Sequence, residues 1–206
     1  FPLSFDEFLE FRQNGGDDVH KSFDAFLGFG GLPGLHELQA SPRATTQYLS
    51  DLFNSVLLKD VVSRNNIRDT ELLNRIIQFI FDNVGSTFSA KNISDFLKSQ
   101  GRKLGVETIY NYLDYLENAF VIERVKRFDL KGRKYLETQE KIYAADVGIR
   151  NSVLGYRPTD IAGILENLVY LNLRQKGFTV SVGKSGTSEV DFVASKDGAV
   201  LYVQVC

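Results

Sequence analysis

Methionine and tryptophan are absent from the 206 residues, cysteine occurs once, as Cys206, and histidine twice, as His20 and His36. A single cysteine excludes an internal disulfide, and two histidines with no cysteine near them in sequence assemble no zinc pattern. A reducing, cytoplasmic setting is the expectation. Long apolar runs are also missing: Val121-Ile122 and the stretch Leu52 to Leu58 are broken by polar residues far short of the roughly 20 needed to span a bilayer, so no membrane segment is expected. No Gly-x-x-x-x-Gly-Lys-Ser/Thr string occurs, which excludes a phosphate-cradling loop of that kind. The glycines of Phe26 to Gly34 read instead as a turn between two helices. The chain opens on Phe1 and stops on the apolar run Leu201 to Cys206, and both ends are expected to be cuts in a longer chain.

What is present is a globular composition, 43% apolar, long enough for one large domain or two small ones. The net charge of −2 is unevenly spread. From Lys98 to Lys134 nine Lys and Arg face five acids, an excess of +4 that leaves −6 for the remainder. Screening confines each charge to a reach of about 10 Å, so a local basic patch can hold phosphates on an acidic molecule.

Periodicity orders the elements. Ser4 and Glu7 make a capping box ahead of Phe5, Phe8 and Leu9. Arg43 to Val84 is helical throughout, with Tyr48, Leu49, Leu52, Val56 and Leu57, then Leu72, Leu73, Ile76, Ile77 and Ile80, recurring at three and four. Between them Lys59, Asp60 and Arg64 are charged positions that either face solvent or a partner. Ser89 to Gly101 has a helix cap at each end. Val106 to Asn118 turns Ile109, Tyr112, Leu113 and Leu116 inward and leaves Thr108, Tyr110 and Asn111 outward. Strand-like Phe120 to Phe128, a basic turn over Asp129 to Lys134 and a return over Tyr135 to Ala145 make a hairpin. Helix-turn-helix followed by a basic hairpin is the order of a winged helix. There the second helix enters a major groove through Thr108, Tyr110 and Asn111, while Lys131, Arg133 and Lys134 hold phosphates. A last helix, Asp160 to Lys176, precedes strands Thr179 to Gly183, Glu189 to Ser195 and Ala199 to Cys206. Gly155 to Pro158 stands as the boundary before this second module.

Glu166 on the helix, Asp191 on the second strand and Gln204 on the third follow an order that resembles restriction-type nucleases of the PD-(D/E)xK superfamily. That resemblance implies carboxylates holding Mg²⁺ against a scissile phosphate and a lysine two residues after the Glu or Gln. Here Cys206 stands at the lysine position and Gln204 is neutral. Glu166 and Asp191 are then the only candidate metal ligands, with Lys184 or Lys196 as replacement cations, and the site is expected to be inactive.

The chain as a whole resembles the C-terminal domain family of bacterial and archaeal AAA-like P-loop ATPases. The resemblance rests on the opening Pro2 to Leu9, Gly30 to Gly34, Leu58 to Val62, Thr108 to Leu113 and Leu165 to Tyr170. It implies an upstream ATPase module that holds ATP and Mg²⁺, with no cofactor in this portion. The expected architecture is mixed and mainly α. It comprises a helical region over 1–85, a winged helix over 86–156 and a truncated α/β nuclease-like module over 157–206. The expected function is a nucleic-acid-binding or regulatory region of such an ATPase, with double-stranded DNA and the ATPase module as partners. A Mg²⁺-dependent DNA nuclease and a protein-docking module that regulates the ATPase are the alternatives.

Overall fold

The structure, a computed structural model, describes residues 1–11, 18–35, 41–132, 134–186 and 188–205, leaving aside the side chains of Glu137 and Thr138. Arg133 and Cys206 lie outside the described residues. The chain is mixed α/β. Helices α1 (Phe5–Phe11), α2 (Val19–Phe29), α3 (Pro42–Val56) and α4 (Thr70–Asp82) come first. Strand β1 (Thr87–Phe88), helices α5 (Ala90–Ser99) and α6 (Val106–Asn118), and strands β2 (Ile122–Asp129) and β3 (Lys134–Ala144) follow. The last part comprises α7 (Val147–Leu154), α8 (Ile161–Gln175), β4 (Thr179–Ser185), β5 (Ser188–Lys196) and β6 (Ala199–Val203). Among the described residues, no helix is long and apolar enough to cross a membrane.

Helix starts fall on side chains that can accept orphan backbone N–H groups. Ser4 and Glu7 bond reciprocally at α1. Asp69 accepts from Leu72 N at α4, and Ser89 from Asn92 N at α5. Three helices end in the same way, with the residue after the cap in the left-handed region and the next N–H returning to a carbonyl five residues back. At α5 and α8 that residue is Gly101 and Gly177, where the absent Cβ removes the strain; at α6 it is Phe120, φ 55°. The helical run expected from Arg43 changes pitch at Leu57–Ser63, which is a π-helix with Ser63 Oγ donating to Leu58 O at 2.7 Å.

The six strands form one sheet in the order β1-β3-β2-β4-β5-β6, antiparallel except where β2 runs parallel to β4. Arg127, Phe128 and Asp129 pair with Val182, Gly183 and Lys184, so hydrogen bonds cross between the hairpin and the last three strands. An unpaired outer edge on β2 would leave its N–H and C=O groups to water, and β4 satisfies them. The third expected strand ends at Val203 rather than Cys206, because Val205 N–H turns to the Asp191 carboxylate at 2.9 Å and leaves the ladder.

Two apolar cores flank this sheet. One packs Phe53, Ile76, Ile77, Ile93, Ile109 and Leu113 from α3 to α6 against Ile122 and Ile142. The other packs Tyr170 and Leu171 of α8 on Val125, Tyr143, Val182 and Phe192, with the Tyr143 and Tyr170 rings stacked at 4.6 Å.

Helix α7 joins these layers to the N-terminal helices. Asp146 caps it, accepting from Ile149 N at 3.0 Å, and its other oxygen accepts from Gly31 N at 2.9 Å. Burial pushes the Asp146 carboxyl above the usual carboxylate range against the pull of these N–H groups. Asn151 donates to Leu27 O and Gly28 O. Gly148 lies so close to α2 that a Cβ there would sit 1.9 Å from Phe29 O. Gly148→Ala is therefore expected to cost about 3 kcal/mol or more, since the obstacle is backbone and cannot rotate away. Urea denaturation measures it, and a loss below about 1 kcal/mol would mean that α2 is not seated on α7 as described.

Candidate functional site

Glu166 and Asp191 are brought together, and the group that joins them is one the sequence did not single out. Lys141 on β3 has a side chain 5% exposed, with Nζ 2.9 Å from Glu166 Oε1, 2.8 Å from Glu189 Oε1 and 3.8 Å from Asp191 Oδ1. Strand alternation explains the convergence: Glu189 and Asp191 are two apart on β5 and share one face, while Glu166 reaches in from α8. Burial pulls the Lys141 pKa down, but hydrogen bonds to Glu189 and Glu166 outweigh it and hold it above its ordinary value.

Each carboxylate is also fixed by a second group. Tyr143 OH donates to Glu166 Oε1 at 2.5 Å. Arg127 Nη2 donates to Glu189 Oε2 at 3.1 Å. Asp191 Oδ2 accepts from Gln204 Nε2 at 2.6 Å and from Val205 N. Burial, then the Glu166 charge and hydrogen bond, drive the Tyr143 pKa far up, so its hydroxyl remains a donor. The two other cations considered from the sequence lie elsewhere: Lys196 Nζ bonds Lys176 O at 2.7 Å, and Lys184 pairs in the β4 ladder opposite Glu189 and Asp129.

Thr108, Tyr110 and Asn111 lie on α6, with Tyr110 and Asn111 exposed and Thr108 half-buried. Lys131 and Lys134 are exposed at the hairpin tip, and Arg133 lies outside the described residues. The basic excess of this stretch does not survive folding intact. Lys98 pairs with Asp95, Arg102 with Asp69 and Glu71, and Arg124 with Asp114 and Glu117. Arg127 is 7% exposed and faces Glu189. Four acids from outside the stretch thus cancel much of its charge. Among the described residues Lys103, Lys126, Lys131 and Lys134 enter no ion pair. Of the charged positions before α4, Asp60 and Arg64 pair with each other at 3.6 Å.

A second surface has no mark in the sequence. Beside the α6 terminus a groove of about 380 Å³ is lined by Pro2, Leu32, Leu52, Val56, Val121 and Ile149. Phe120 stands at its rim, 83% exposed. A left-handed conformation costs a residue with a Cβ roughly 1–2 kcal/mol, and an exposed phenyl ring recovers none of that from the chain itself.

Residues 20–160 match the family described as "Domain of unknown function (DUF8612)", and the chain belongs to that family. The matched span holds Lys141 and the groove lining from Leu32 to Ile149, but not Pro2, and it stops short of Glu166, Glu189 and Asp191. The whole chain is 36% identical over 207 residues to an uncharacterized protein of Haemophilus influenzae, covering 51% of it. It is 29% identical over 218 residues to uncharacterized protein MJ1544 of Methanocaldococcus jannaschii, covering 48%. The chain spans about half the length of the curated relatives it matches.

Removing one member of a buried charge cluster leaves the others uncompensated. Lys141→Met is expected to cost about 3–5 kcal/mol, whereas Tyr143→Phe, which deletes one hydrogen bond to a charged group, costs about 1.5–3 kcal/mol. Chemical denaturation of the two variants gives the comparison. Equal losses would show that Lys141 is not the centre of the cluster.

Proposed function

We propose that this chain is the regulatory, protein-docking region of a larger ATPase of the AAA-like kind, and that the groove beside Phe120 seats another part of the same polypeptide. The observation that carries this reading is Phe120 itself. Where α5 and α8 end on glycine, α6 ends on a strained phenylalanine whose ring points to solvent at the rim of an apolar groove. The left-handed turn is what ends the helix, but a side chain carried there in place of glycine is strain that the fold does not need, and such strain points to a partner. The occupant follows from length: relatives twice as long as this chain carry as much polypeptide again, enough to bring a complementary apolar face. In this reading α5, α6, β2 and β3 form a winged helix used for protein contact. The α8–β6 unit is then a nuclease-like module without catalysis.

Phe120→Gly separates stability from docking. In the isolated region it is expected to raise stability by about 1 kcal/mol, because glycine relieves the left-handed strain. In the full-length protein it is expected to abolish protection of residues 52–56 and 119–121 from amide hydrogen exchange. Protection unchanged by the substitution would remove the groove from the interface.

A second reading, double-stranded DNA binding, is favoured by unpaired Lys126, Lys131 and Lys134 together with exposed Tyr110 and Asn111. Fluorescence anisotropy over a salt series decides between the two. Docking predicts weak binding lost by physiological salt, unaffected by Lys126→Ala/Lys131→Ala/Lys134→Ala. Binding whose salt slope falls by about three in that triple variant would instead assign the hairpin to phosphate contact.

A further inference from the structure

We infer that Lys141 is a tethered cation standing where a divalent ion would otherwise sit, and that withdrawing its ammonium turns the cluster into a divalent-cation site. The nuclease-like reading implies a metal between Glu166 and Asp191, and the residues present do not fit one. Nζ lies 2.8 and 2.9 Å from the inward oxygens of Glu189 and Glu166, and the lysine side chain is nine-tenths buried. A hard divalent ion takes oxygen ligands at about 2.0–2.6 Å, so ion and ammonium would claim the same space. Asp191 has Oδ2 occupied by the Gln204 and Val205 N–H groups, so only Oδ1 faces the space that Nζ fills. Charge points the same way: with Lys141 and Arg127 present, the three carboxylates keep one net negative charge, too little to attract a divalent ion into a desolvated pocket.

The carboxylates do not depend on Lys141 for their positions. Glu189 is held by Arg127, Asp191 by Gln204 and the Val205 N–H, and Glu166 by Tyr143. Removing the lysine side chain therefore leaves three oriented carboxylates around a vacated volume with two net negative charges, a donor set of hard oxygens suited to Mg²⁺, Mn²⁺ or Ca²⁺.

Mn²⁺ binding to the full-length protein, read by electron paramagnetic resonance with any nucleotide site saturated by Mg²⁺ and nucleotide, tests the idea. Wild type is expected to bind no Mn²⁺ at this cluster up to about 1 mM, the weak end of protein affinities for such ions. Lys141→Ala is expected to gain one equivalent at least about tenfold tighter, and Lys141→Ala/Asp191→Asn to lose it again. Mn²⁺ should also raise the Tm of Lys141→Ala and leave that of wild type unchanged. If Lys141→Ala does not fold, Lys141→Gln, which keeps a hydrogen-bonding amide but no charge, takes its place in the same assay. A wild-type equivalent that Asp191→Asn abolishes would overturn the inference, as would folded Lys141 variants that gain none.

Discussion

Three polar groups at and just ahead of an eight-residue helix, Asp146, Arg150 and Asn151, hold the layers of this protein in register. Arg150 of α7 is 2% exposed, with Nε on Phe81 O at 2.9 Å, Nη1 on Asn151 and Nη2 on Asp160. Asp146 and Asn151 face the opposite way, onto the loop and terminus of α2. A buried guanidinium or carboxylate is tolerated only when its hydrogen bonds are met. The C-terminus of α4, the end of α2 and the start of α8 must therefore all be in place at once. That constraint is directional where apolar packing is not, and it fixes where Val147 enters beside Leu27 and Ile164. The sheet, the groove and the Lys141 cluster take their positions from it.

The two surfaces differ in how completely the chain satisfies them. The Lys141 cluster is closed: each carboxylate oxygen that faces Nζ belongs to a group fixed elsewhere. The groove is open, with an aromatic side chain displayed at its edge from a left-handed position that glycine would occupy without strain. Large exposed apolar features on a soluble surface signal contact, whereas a closed polar network signals specification of a single packed state.

Local signals were readable in the sequence and long-range ones were not. The caps at Ser4 and Ser89, the apolar faces of α4 and α6 and the hairpin over 122–144 follow from spacings of a few residues. Lys141 has no local signal, because its partners lie 25 to 50 positions away and nothing in Glu140-Lys141-Ile142-Tyr143 marks a buried cation. The basic stretch is misleading for the converse reason. Its neutralising acids, Asp69, Glu71, Asp95 and Glu189, come from other elements, and counting charge along the chain ignores them. Phe120 hid behind the usual glycine signature of a helix end. The pitch change at Leu57–Ser63 has no compositional mark, since β-branched Val61 and Val62 suit α and π turns alike.

Strand β2 sits between a neighbour formed at once and one that arrives late. Its hairpin partner β3 follows after a four-residue turn, but β4 pairs Arg127 with Val182, 55 residues on, and Glu189 reaches Arg127 only at a separation of 62. On a ribosome adding about 5–20 residues per second, the α3–α6 helices have all of their residues while the outer edge of β2 waits roughly 3–11 s for its partner. During that interval a central strand with an unpaired edge is open to pairing with other chains. The exposed Lys126 in its middle is a charge at the position best placed to discourage it.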